Sequence, residues 1–260
     1  MEQENPSTEF SSQQNSDTQQ PSQTIPQDTE APDMMIENAD SEGFSKMNLS
    51  QLLTISQFKK ALSLLEAEFD SKQASLGESH IELIPLLNQM ADIQISRAQY
   101  SKASELCQRS EQILQNYQEN PDYNSLMAHT LQNMAVISRE NKNKKEALDL
   151  INKSLTLSPP ESLQNIEIHR IKALVLCDFQ QYKEAQQEIQ KSIDVLDKST
   201  NPIDKVRVYD TMGEMCSAND DWDQAKIVYE SALKFGKEHE LNSHAEMAKV
   251  YEGLGYSFTP

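Results

Sequence analysis

Glycine is scarce, with six residues in a chain of 260. There is little material for a Gly-rich phosphate cradle, and no P-loop is present. Cysteine is scarcer still, with three. Cys107, Cys177 and Cys216 are odd in number and far apart. That suits small helix-packing residues in a reducing compartment, not a disulfide or zinc framework. No apolar run approaches the roughly 20 residues of a membrane span. The first residues lack the basic or apolar stretch of a signal peptide or a mitochondrial presequence. Basic residues are missing from residues 1–45, which hold ten acidic side chains and no Lys or Arg. More than half of the net charge of −18 therefore lies there, and the remainder is still acidic. Such a surface argues against nucleic acid, whose phosphates need a basic stripe. The plain reading of the acidity is solubility; the alternative is a basic partner.

Catalytic groupings are missing too. No Ser, His and acid constellation is present. The five histidines, His80, His129, His169, His239 and His244, show no metal spacing with Cys or acidic partners. We therefore expect no enzyme, no cofactor and no metal.

What is present is helix-forming composition, rich in Gln, Glu, Leu, Ala, Lys and Ser. Residues 1–45 carry few apolar side chains against their Gln, Ser, Thr, Pro and acids, so we expect a disordered tail. Within it, Met34, Met35 and Ile36 form a short apolar stretch that could dock in the chain's own groove as an autoinhibitor. Residues 46–260 are expected to form one helical domain.

That domain carries a repeat. An aromatic precedes an alanine by three, and a small residue follows seven later: Tyr100, Ala103 and Ser110; Tyr182, Ala185 and Ser192; Trp222, Ala225 and Ala232. Phe58 and Ala61 begin a further copy; Ala147 and Ser154 form another with Lys144 at the aromatic position. The marker alanines Ala61, Ala103, Ala147, Ala185 and Ala225 are 42, 44, 38 and 40 residues apart. Such a period means stacked helical hairpins.

Helix boundaries follow. Asp70 to Ser79, with Gly77, reads as a loop or frayed end. The next helix starts near Leu83, with Pro85 in its first turn. Pro159 and Pro160 stop a helix, and Asn201 before Pro202 caps another. Asn242 to Leu254 reads as a terminal capping helix with Ala245, Ala248 and Tyr251 on its packed face.

These residues resemble the tetratricopeptide repeat family. Its small helix-A position matches Ala91, Ala135, Ala173 and Gly213, each nine residues before the helix-B aromatic position. Two rods cross closely only where Cβ atoms are small, and the aromatic fills the remaining wedge. The first repeat departs from the pattern, with Leu49 where Gly or Ala is expected. The fourth places His169 and Lys172 where large apolar residues are usual. Leu76 to His80 is similar to the inter-repeat segment of the kinesin-light-chain class. Leu87 to Ala91 and Leu131 to Ala135 are similar to that class's helix-A motif. The resemblance covers about residues 50–255. It implies an all-α right-handed superhelix of about five hairpins with a C-terminal capping helix.

It also implies a non-catalytic scaffold or adaptor that binds a peptide segment in its concave groove. The alternative is a structural or regulatory subunit of a larger complex. The expected groove residues are Asn88, Gln89, Asp92, His129, Gln132, Asn133, Val136, Arg170, Ile171, Leu174, Asp210, Thr211 and Glu214. Asn88 and Asn133 match the asparagines that hold a peptide backbone in the kinesin-light-chain class. A second family mode clamps a carboxylate between converging cations. Asn88, Asp92, Gln132, Glu167 and Ile171 occupy those positions, so the sequence argues against it. The expected partners are proteins, without nucleic acid or membrane insertion. The expected compartment is the cytoplasm, with the nucleus open.

Overall fold

The computed structural model describes Leu52 and residues 57–258. The acidic tail and its Met34–Met35–Ile36 contact lie outside them. Among the described residues there are ten α-helices and no strand. They are α1 (Phe58–Leu76), α2 (Ile84–Ser96), α3 (Tyr100–Leu114), α4 (Tyr123–Glu140), α5 (Lys144–Leu157), α6 (Gln164–Asp178), α7 (Tyr182–Leu196), α8 (Pro202–Ala218), α9 (Trp222–Glu238) and α10 (Ala245–Tyr256).

Local chemistry sets the ends. Asn201 accepts a hydrogen bond from the Ile203 amide, and Pro202 fills the first helical position. The Asp221 carboxylate accepts from the Gln224 amide at the start of α9. Pro159 follows Ser158, where α5 has stopped. The expected loop at Asp70 is helical instead. Phe69 continues the buried stripe of Ala61, Leu62 and Leu65, so packing carries α1 on to Leu76. It ends at Gly77, whose φ of 94° suits glycine. The expected packed face of α10 is also displaced. Met247 and Val250 are buried, while Ala248 and Tyr251 face outward.

α2 pairs with α3, α4 with α5, α6 with α7 and α8 with α9. Four complete hairpins thus stand among the described residues, with α1 before them and α10 after. Each first helix (A) also packs on the next first helix, whereas successive second helices (B) barely meet. A row in contact on one side and splayed on the other must curve. The A helices α2, α4, α6, α8 and α10 therefore line its inside.

The small residues form the seam. Ala91, Ala103, Ala135, Ala147, Ala173, Ala185 and Ala225 are all fully buried. At the fourth hairpin, the Tyr229 ring stands between Gly213 and Gly253. A Cβ at either glycine would lie under 3 Å from the ring. Gly253 thus holds the small helix-A position in α10, which is the A helix of a further unit.

The small residue at the end of the B motif does more than allow approach. Ser154 Oγ donates to the Ala128 carbonyl at 2.7 Å, and Ser192 Oγ to the Ile166 carbonyl at 2.8 Å. Each bond ties helix B to its own helix A. Ser110 is equally buried, but its Oγ has no partner among the described residues.

The aromatic position works differently from the expected wedge. Trp222 is largely exposed. Tyr182 donates its hydroxyl to the Ala218 carbonyl at the end of α8, at 2.6 Å. Lys144 donates to the Asp178 carbonyl at the end of α6. Both satisfy a carbonyl that a helix C-terminus leaves free. Lys144 is therefore an equivalent, not an exception.

The fourth repeat keeps its register with polar chemistry. Where other B helices place Leu106, Leu150 or Val228, α7 places Glu188. Its carboxylate meets His169 Nδ1 at 2.7 Å, Lys191 at 2.9 Å and Lys172 at 3.3 Å. Burial would raise the Glu188 carboxyl, but His169, Lys191 and Lys172 outweigh it and hold it down at about 2.

Two stability tests follow from the seam. Ser154→Ala and Ser192→Ala should each cost about 1 kcal/mol in denaturant unfolding. Ser110→Ala should be neutral or slightly stabilising, because it removes a buried hydroxyl without a partner. Gly213→Ala should cost about 1–3 kcal/mol through overpacking. Adding Tyr229→Leu should restore part of that loss, and an additive pair would refute the clamp.

Candidate functional site

The concave face is built from equivalent positions on the A helices. Six residues before the small position stand His129, Glu167 and Arg207; three before it stand Asn88, Gln132, Arg170 and Asp210; one after it stand Asp92, Val136, Leu174 and Glu214.

The asparagines singled out by the resemblance are spent on the seam. Asn88 is fully buried. Its amide donates to the Leu126 carbonyl at 3.3 Å, and its Oδ1 accepts from Thr130 at 3.0 Å. Asn133 Nδ2 donates to the Asn88 carbonyl at 3.3 Å. Together they pin α2 to α4. Gln132, Ile171, Leu174 and Thr211 are buried as well. Gln89, Asp92, His129, Val136, Arg170, Asp210 and Glu214 remain accessible.

A lattice of charge that the sequence reading missed runs between these helices. His129 Nε2 approaches Asp92 at 3.1 Å. Burial would lower the His129 imidazole, but the Asp92 carboxylate, with Glu167, outweighs it and raises it. Arg139 Nε donates to Asp178 at 2.8 Å, and its Nη2 to Glu214 at 2.7 Å, so one guanidinium spans α4, α6 and α8. Arg170 donates to Glu167 on its own helix and to Thr211 Oγ1 on α8 at 3.0 Å. Burial would raise Glu167, but Arg170 outweighs it and holds it down at about 2. Arg207 Nε donates to Glu246 of α10 at 3.0 Å, and Lys249 pairs with the same carboxylate at 3.1 Å.

Cations do stand on successive A helices, contrary to the positions read from the sequence. Each is engaged by carboxylates. The signal was legible: Arg207 repeats the register of His129 and Glu167.

Asp210 is the exception in this lattice. Burial pushes its carboxyl up to about 7; Glu246 and Glu214 push the same way, against Lys249 and Arg170. Chemically, the face offers hydrogen bonding and charge. Among the described residues there is no group of three or more His, Cys, Asp or Glu arranged for a metal. No described helix is long and apolar enough to cross a membrane.

The architecture is that of a tetratricopeptide-type repeat array. Among solved structures, BtubC (BKLC) from P. vanneervenii matches with a TM-score of 0.50 at 15% identity, over 81% of this chain and 85% of that one. A kinesin-light-chain-like chain of nearly identical TPR-like repeats from Podosopora anserina matches with a TM-score of 0.48 at 15% identity, over 74% and 92%. A tetratricopeptide repeat protein from Parabacteroides merdae matches with a TM-score of 0.41 at 18% identity, over 80% and 71%. No protein-family model and no curated protein sequence matches the chain.

Asp210 generates a pH prediction. Its folded pKa lies above the ordinary aspartate value, so the native state holds the extra proton between about 4 and about 7. Stability from this group is complete below that window and is lost as pH rises through it. Asp210→Asn should match the parent at pH 4 or below and melt several degrees higher at pH 8. Parallel curves for Asp210→Asn and the parent would refute the assignment.

Proposed function

We propose that this chain is a non-catalytic scaffold or adaptor that holds a segment of a protein partner in its concave groove. The observation that supports this most is the continuous inner face of neighbouring A helices. Gln89, Asp92, His129, Val136 and Glu214 stay accessible along it. A curved face of this kind binds by shape and hydrogen bonding and needs no reactive group. The free, mostly buried thiols suit a reducing compartment, and we place the chain in the cytoplasm, with the nucleus as the alternative.

A second reading has its own observation. Trp222, Ile227, Tyr251, Tyr256 and Phe258 are exposed large side chains on α9, α10 and the segment after α10. That concentration suits a subunit whose C-terminal end is covered in a larger complex.

Selection of random peptides on the full chain separates the two. A groove binder enriches peptides whose affinity falls more than about tenfold with Gln89→Trp and Val136→Trp, which obstruct the inner face. Glu105→Trp and Glu230→Trp, on the outer helices, should leave it unchanged. Enriched peptides insensitive to the inner pair, or no enrichment, would defeat the groove reading. Loss of binding with Tyr256→Ser and Phe258→Ser would favour the subunit.

A further inference from the structure

We infer that residues 28–42 of the chain's own acidic tail dock on the edge formed by the first two turns between paired helices, where Arg97, Lys102, Lys142, Lys144 and Lys145 receive their carboxylates. The inference is independent of the groove reading, because this edge lies at the helix ends and not on the inner face.

Every hairpin turns at the same end of the array. The turn between α2 and α3 spans residues 97–99, that between α4 and α5 residues 141–143, and that between α8 and α9 residues 219–221. Successive turns are neighbours. Lys144 and Tyr182, at the starts of α5 and α7, reach the carbonyls of Asp178 and Ala218 at the ends of the next A helices. Charge is unevenly spread along this edge. The first two turns bring the five cations, whereas the last brings Asp220, Asp221 and Asp223. α1, a B helix by its Phe58 and Ala61, begins at the basic end with Lys59 and Lys60.

These five cations are not engaged as those of the inner face are. Arg139, Arg170 and Arg207 are held by carboxylates. Among the described residues none of the five pairs with one: Lys102 donates to the Gln99 amide oxygen at 2.7 Å, and Lys144 to a backbone carbonyl. Glu140 and Glu146 stand beside the second turn, but Glu140 pairs with Arg139 at 3.5 Å and Glu146 accepts from Asn143 at 3.4 Å. Lys142, Lys144 and Lys145 are exposed and share a hollow with Phe179.

A separate observation points to an anion. Arg97 is 8% exposed, and its Nε has no acceptor among the described residues. Its two terminal nitrogens are not sealed in the same way. A covered guanidinium without a counter-charge keeps its desolvation cost uncompensated. A carboxylate arriving from outside would supply the missing acceptor.

The tail is the complement. Residues 28–42 hold six acidic side chains and no base. Between Asp33 and Glu37 stand Met34, Met35 and Ile36, apolar side chains suited to Phe179 in the hollow. The link from Glu42 to Gln57 can extend to about 50 Å, several times the spacing of packed helices. Tethering sets an effective concentration on the order of millimolar, so weak ion pairs suffice.

The test uses the full chain carrying Cys216→Ala and Met35→Cys, with a nitroxide attached at position 35; Cys107 and Cys177 are buried. The label should broaden the backbone amide NMR signals of residues 97–102 and 141–145 and spare those of 219–223. Broadening should disappear at about 0.5 M salt, where screening acts within a few ångströms. Lys102→Gln, Lys142→Gln and Lys145→Gln together should remove most of it, and Arg97→Gln should act in the same direction. Lys153→Gln, Lys234→Gln and Lys237→Gln, equal in charge but away from the edge, should leave it in place. The spectra themselves show that each variant folds. Equal losses from the two triple variants would assign the attraction to net charge and overturn the inference. Broadening along Gln89 and Val136 instead would place the tail in the groove and overturn it, as would no broadening at all. Spin-labelled chains mixed with isotope-labelled, unmodified chains separate the sources. Broadening passed between chains would make the occupant a second copy and equally overturn it.

Discussion

The close crossing of helices at side chains too small to keep them apart governs this structure. Seven alanines are fully buried at equivalent crossings, and two glycines clamp Tyr229 where no Cβ would fit. Each crossing fixes one hairpin, and each hairpin rests on the next. The buried apolar side chains accordingly fall into successive clusters along the array, not into one centre. Curvature follows, since contact is dense along the A helices and sparse along the B helices. The inner face is a consequence of packing.

Polar groups then set the register. Apolar packing between smooth rods is nearly indifferent to small slides along the axis. Directed bonds are not. Ser154 and Ser192 each reach one particular carbonyl of the facing helix, and Asn88, Thr130 and Asn133 lock α2 against α4. Arg139 performs the longer version of this task across three helices. The buried Glu188 cluster in α6 and α7 fits the same logic. It costs desolvation yet defines how that hairpin must close.

Much of the fold was legible because steric rules leave a one-dimensional trace. The spacing of Ala103, Ala147, Ala185 and Ala225 gave the hairpins. Pro85, Pro159 and Asn201 gave several ends. The turns were less legible. Ala98, Lys142, Gln180 and Asp220 all take positive φ between paired helices, with no glycine to announce it. The inner face was least legible. Position alone told which residues share a row, but not which point inward. Asn88 and Gln89 are neighbours, one wholly buried and one exposed. Two of the three carboxylate partners of Arg139, Asp178 and Glu214, lie on other helices, and no local pattern contains them. Lys144 broke the aromatic consensus while preserving the interaction, because a carbonyl at a helix end needs a donor, not a ring.

The committed arginines bear on selectivity as much as on stability. An acidic segment entering the groove would need donors, and the guanidinium of Arg139 is already divided among carboxylates of three helices. Freeing it would break charge-assisted hydrogen bonds worth about 1.5–3 kcal/mol each before any new bond formed. A neutral segment pays no such penalty. Binding energy counts only as the difference between what is gained and what is given up. Internal pairing of its cations thus weighs against an acidic occupant of the inner face, even though that face contains both charges.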